Sequence, residues 1–373
     1  MKQTQAFLST YTADVSGVCS ALFELGGMTV MHDASGCNST YNTHDEPRWY
    51  DMDSLVYISG LSELEAVMGD DEKLISDVSD AARQLHPRFI ALAGTPIPMI
   101  TGCDLPAIAR EVEGRTKIPS FAVPSNGIGT YVAGAGQALR LYAERFITSR
   151  PEKRKNAVNI LGATPLDFSV NGCVQSMARR LEKAGFTLQS VFAMSSSIDA
   201  IDKAGAAEAN LVVSSVGLPA AQYLQAQFGT PYVIGAPFGD FFSPYVFDAL
   251  RASIRTGENT RVLGTCSPDA PDTVIVGESV TAKSLAAALA VGYGIRARVI
   301  CPVEAPGGVL GACDLQLEDE EEIEEALRGA RRVIADPLYR RIVPAKSEFY
   351  PLPHEAFSGR IYRKQIPNLA ERV

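Results

Sequence analysis

The sequence predicts an α/β protein: three Rossmann-like units with parallel sheets around a central cleft. Three observations predict it. Apolar runs of strand length alternate with longer helical patterns along all 373 residues, the pattern of parallel strands joined by helices. Polar breaks interrupt that alternation at 148–155, which holds Pro151, and at 255–260, as linkers do. The stretches so divided, 1–150, 151–257 and 258–373, are alike in pattern but share no detectable repeat.

In the first unit, strands are expected near 29–32, 55–58, 89–93 and 118–123, with helices near 18–25, 71–85, 105–113 and 131–147. The second opens with a strand at 157–161, followed by a helix over 171–184 that stops at Gly185, a residue suited to ending a helix. Strands at 188–192, 211–214 and 232–234 follow, with helices near 218–228 and 241–254. The third unit has strands at 273–276, 297–300 and 333–335 and an Ala-rich helix over 281–291. The acidic run Glu318-Asp319-Glu320-Glu321-Glu322 reads as a solvated helix start, because carboxylates favour a helix N-terminus.

Composition narrows the function classes. Net charge is −9, which argues against nucleic acid or an anionic membrane surface as partner. No apolar run reaches the ~18 residues of a membrane span, and no signal peptide is evident, so a cytoplasmic location is expected. Gly127-Ile128-Gly129 opens a helix, but Val132 stands where a dinucleotide fingerprint needs glycine. There is no P-loop, so the chain is not expected to hydrolyse ATP itself. The seven cysteines form no CxxC pair, so neither a zinc ribbon nor a disulfide framework is expected.

The most informative local feature is His32-Asp33-Ala34-Ser35-Gly36-Cys37, directly after the apolar run 28–31. It reads as a strand ending in a small-residue turn, where open α/β sheets place ligands. Gly36 lets the backbone approach a bulky inorganic group, and Cys37 presents a thiol. Cys19 is expected where a helix begins, its thiolate favoured by the helix dipole. Thr95 follows the strand at 89–93, and Cys103 opens the next helix. An iron–sulfur cluster takes four thiolates, so two per subunit suffice only if a two-fold axis doubles them.

These stretches resemble the nitrogenase component 1 (MoFe-protein type) family. The Cys37 turn is similar to its His-Gly-Pro-x-Gly-Cys loop. Gly94-Thr95-Pro96-Ile97 through Gly102-Cys103-Asp104-Leu105 resembles its second cluster loop. Val158–Gly162, Asp336-Pro337-Leu338 and Pro353–Gly359 resemble later segments. The resemblance implies an oxidoreductase subunit that accepts electrons from an ATP-dependent iron protein and reduces a small molecule or tetrapyrrole-like substrate. It implies a [4Fe–4S] cluster shared across a subunit interface, within a homodimer or a heterodimer or heterotetramer with a paralogous subunit. Cys37 is the ligand that transfers. Ala13 or Asp14 occupies the place of the family's first Cys, for which Cys19 substitutes; Thr95 occupies the third, with Cys103 beyond it. His354 lies near the family's cofactor histidine, while Cys266 and Cys301 match its cofactor cysteine by location only, so nitrogen fixation is not expected. His44, in the polar loop 42–49, is a second catalytic candidate, weighed against an ordered surface loop. Cys173 reads as a core residue. The alternative function is a scaffold that carries a metallocluster or metal cofactor without turnover; a metal-free binding protein is a third.

Overall fold

The computed structural model describes residues 6–8, 11–34, 46–264 and 272–373. They form three sheets, every strand pair parallel. The first contains β1 (Met28–His32), β2 (Leu55–Ile58), β3 (Ile90–Gly94) and β4 (Ser120–Val123), in the order β2-β1-β3-β4. The second contains β5 (Ala157–Leu161), β6 (Thr187–Val191), β7 (Ala209–Val212), β8 (Tyr232–Ile234) and β9 (Thr260–Arg261), in the order β6-β5-β7-β8-β9. The third contains β10 (Thr273–Val276), β11 (Ala297–Cys301), β12 (Leu315–Gln316), β13 (Arg332–Ala335) and β14 (Glu348–Pro351), in the order β12-β11-β10-β13-β14.

β1, β3 and β5 are buried at every position. Their continuous apolar runs are what a strand covered by helices on both faces requires. The two- to four-residue strands at the rims of the second and third sheets were not expected; a segment such as β9 or β12 is too short to show a period. β9 also carries the second sheet past residue 257.

The helix Asp14–Leu22 is buried along its whole length. It crosses the helix Tyr131–Phe146 at backbone contact: a Cβ on Gly134 would lie 1.9 Å from the Asp14 carbonyl oxygen, and one on Gly17 2.3 Å from that of Tyr131. One apolar cluster joins Leu22 and Val123 of the first unit to Leu161 and Val212 of the second and Val276 and Val333 of the third. The units therefore share a core. Among the described residues no helix is long and apolar enough to cross a membrane.

In each sheet the strand order reverses once beside its first strand: between β1 and β3, β5 and β7, and β10 and β13. Ligands of open α/β sheets bind outside the carboxyl ends of strands at such reversals.

Candidate functional site

At the β1/β3 reversal, Thr95 is buried and its Oγ1 donates to the His32 carbonyl oxygen at 2.9 Å. Thr95 thus joins the ends of β1 and β3. Cys103 is half-buried, its Sγ 3.7 Å from Asp71 Oδ1; burial, then Asp71, pushes the thiol up to about 12. Cys37, Gly36 and His44 lie outside the described residues.

The expectation for Cys19 is corrected. The helix begins at Asp14, so Cys19 sits in its second turn, buried in the core. Burial, then Glu46, pushes its thiol up to about 12, opposite to the depression expected at a helix start. The apolar residues Val15 and Val18 draw the helix inward, and the dipole acts only on its first turn. Cys301 is likewise buried, its thiol raised above the ordinary value by burial. Cys313 is disulfide-bonded.

An iron–sulfur cluster takes four thiolates. Among the described residues no group of three or more His, Cys, Asp or Glu is arranged to hold a metal ion. These residues do not fit such a cluster by themselves.

The reversals of the second and third sheets meet at a second place. Beyond β5, the short helix Pro165–Phe168 carries Asp167, whose side chain is fully buried. Asp167 accepts from Tyr131 Oη at 2.6 Å, Ser214 Oγ at 2.6 Å and Thr164 Oγ1 at 3.4 Å. Tyr131 opens a helix of the first unit, and Ser214 follows β7. Burial, then Asp167, holds the Tyr131 phenol well above its ordinary value, so it remains a protonated donor.

His354 faces this carboxylate from the third unit, Nε2 lying 3.5 Å from Asp167 Oδ1. Neither ring nitrogen has a hydrogen-bond partner, and both atoms are buried. The ring stacks on Phe357 at 4.4 Å. Its backbone is fixed by Asp336, just beyond β13, which accepts from His354 N at 2.8 Å and Ser358 Oγ at 2.7 Å. Burial raises the Asp336 carboxyl, against these hydrogen bonds. Ser169 ends the Asp167 helix at φ 53°, ψ −164°, a conformation a side chain rarely adopts and one found where ligands are gripped. Its Oγ donates to Glu355 Oε1 at 2.8 Å, and Arg363 Nε holds the same carboxylate at 2.6 Å.

His354, Asp167 and Glu278 open onto a cavity of about 50 Å³. Its walls are apolar, including Phe168, Phe238, Ile275, Leu285 and Leu352, and it also touches Cys173. Burial pushes the Cys173 thiol up to about 11. An apolar cavity with a few converging polar groups is the usual form of a ligand site. A buried imidazole with no partner fits a metal-bearing ligand, since a neutral ring nitrogen is a common metal ligand. Of this constellation the sequence singled out His354 and, as a turn bordering the central cleft, the run 235–239 that holds Phe238. Asp167, Ser214 and Glu278 were missed, although each stands just past an apolar strand, the position that marks such residues.

A sequence model of the nitrogenase component 1 type oxidoreductase family matches residues 16–253. The chain is 28% identical over 196 residues to the nitrogenase iron-molybdenum cofactor biosynthesis protein NifE of Methanosarcina barkeri, covering 49% of this chain and 42% of that protein. It is 24% identical over 183 residues to the nitrogenase molybdenum-iron protein alpha chain of Clostridium pasteurianum, covering 48% and 33%. It is 25% identical over 181 residues to a subunit of the light-independent protochlorophyllide reductase of Nostoc punctiforme, covering 46% and 36%. The chain thus spans less than half the length of these relatives. The solved structure of nitrogenase Cp1 at pH 6.5 superposes with a TM-score of 0.62 at 14% identity, over 95% of this chain and 86% of that one. Nitrogenase Cp1 at pH 5 gives 0.59 at 16%, over 87% and 72%. Both share the fold.

Proposed function

Because the chain belongs to the nitrogenase component 1 type oxidoreductase family, we propose that it is a nitrogenase-like subunit whose central cavity holds the molecule to be reduced. The substrate is a small molecule or a tetrapyrrole-like one, and the electrons come from an ATP-dependent iron protein. The observation that carries this reading is the unpartnered imidazole of His354, buried above a cavity at the meeting of two sheet reversals. An unsatisfied buried polar group is costly to the fold, and a ligand supplies its missing partner.

The residues have distinct tasks. Tyr131 and Ser214 hold Asp167; Asp167 faces His354 at 3.5 Å; Asp336 and the Ser169–Glu355–Arg363 clamp fix the backbone around it. The apolar walls exclude water. His354 binds the ligand or passes it a proton. An iron–sulfur cluster, when bound, supplies single electrons. Its ligand in this chain would be Cys37, joined by thiolates of a second subunit, identical or paralogous; Cys19 and Cys103 would need a shift of their surroundings to take part. The cytoplasm is the expected compartment.

A second reading, a scaffold that carries a metal cofactor without turnover, is favoured by the similarity to NifE, a cofactor biosynthesis protein by name. Iron and sulfide analysis after anaerobic purification tests both against a metal-free chain. Cys37→Ala is expected to remove the bound iron; unchanged iron overturns the cluster assignment. Turnover with an iron protein, ATP and candidate substrates, lost in His354→Ala, separates reductase from scaffold.

A further inference from the structure

Resting on the reading of the central cavity as a ligand site, we infer that its occupant is neutral or cationic where it meets His354, and that Asp167 excludes oxyanions. Four titratable side chains line the cavity: Asp167, Glu278, His354 and Cys173, whose thiol burial keeps protonated. Two are acids. No Lys or Arg lines it among the described residues. Arg363, close by in sequence, is committed to Glu355.

The two acids are not equivalent. Glu278 caps a helix and accepts from the backbone of Val280 at 3.0 Å, Thr281 at 2.9 Å and, across the unit boundary, Ser215 at 3.1 Å. Helix-terminal amides offset a negative charge. The donors to Asp167 are hydroxyls, those of Tyr131, Ser214 and Thr164. Hydroxyl dipoles stabilise a carboxylate but bring no compensating cation. Its field therefore reaches the cavity beside His354, and apolar walls screen it less than water does.

Asp167 also decides what His354 presents. A carboxylate beside one imidazole nitrogen favours the proton on that nitrogen. With the proton on Nε2, 3.5 Å from Asp167, Nδ1 offers a lone pair. That suits an electropositive atom, whether the metal centre of a neutral or cationic complex or an N–H donor. A carboxylate or oxometallate arriving there meets a lone pair and a like charge together. The strained backbone at Ser169, clamped by Glu355, holds Asp167 in this place.

The test uses three probes that share one ring and differ in head charge: cyclohexylammonium, cyclohexanol and cyclohexanecarboxylate. Each is titrated into the full chain near pH 7 by calorimetry, with the His354 ring signals in NMR locating the site. The ammonium is expected to bind at least about tenfold tighter than the carboxylate, with the alcohol between them and the His354 signals shifting. Asp167→Asn is expected to cut that preference about tenfold. A carboxylate that binds as tightly as the ammonium overturns the inference and leaves the cavity reading standing. The absence of binding by all three overturns both. The wild-type series decides the matter even if the variant does not fold.

Discussion

His32 ends β1 with its ring buried and Nδ1 2.9 Å from Ser59 Oγ. Burial lowers its pKa from 6.5, against the pull of Asp71, Asp33 and Glu65. The folded chain therefore binds fewer protons than the unfolded chain near that pH. Stability from this residue is present above the unfolded value and is lost as pH falls through it. His32→Gln should flatten urea midpoints between about pH 7.5 and 5.5; an unchanged slope counts against this account. Arg48 is a buried charge. It donates to Glu46 at 2.7 Å, to Glu24 at 2.7 Å, and to the carbonyls of Ser20 and Ala193 at 2.7 and 2.8 Å. Removing one partner of a buried ion pair strands the other, so Arg48→Met should cost about 3–5 kcal/mol. A loss below about 1 kcal/mol in equilibrium unfolding contradicts that burial.

At the scale of elements, glycine position decides how helices meet. Gly134 lies where the helix Tyr131–Phe146 touches the backbone of Asp14. Gly134→Ala has no flexible atom to push aside, and overpacking of about 1–3 kcal/mol or more is expected. Gly114 sits in the helix Leu105–Thr116 with open space where a Cβ would be. Gly114→Ala should stabilise by about 0.5–1 kcal/mol. Thermal melts of the two variants should move in opposite directions; a shared direction rejects the close helix crossing. The short helix Glu63–Met68 has no buried residue, so no hydrophobic stripe announced it. Its signal is the capping box: Ser62 Oγ accepts from Glu65 N, and the Glu65 side chain accepts from Ser62 N.

Across the whole molecule, the first unit is tied to the third at its beginning. The amides of Ala6, Phe7 and Leu8 donate to Glu320 at distances down to 2.8 Å. The acidic run that reads as a solvated helix start thus contains one buried acid that receives another segment. Glu320→Ala should raise amide exchange at residues 6–8, with a stability loss of about 1–3 kcal/mol; unchanged exchange there removes the tie.

The strands at 157–161, 232–234 and 273–276 fall where their apolar runs put them, because a buried parallel strand must be apolar on both faces. Those runs, and the order of the turns that follow them, determined the α/β class, the parallel sheets and the family. They also placed His354 among the residues of interest. Only the tertiary structure decided that Cys19 packs into the core and that Thr95 bridges two strand ends. It alone brought Asp167, Tyr131, Ser214 and His354 from three units to one cavity. The physical reason is range: periodicity and turn chemistry act between near neighbours in the chain, whereas burial and charge act between residues that only the packed units bring together.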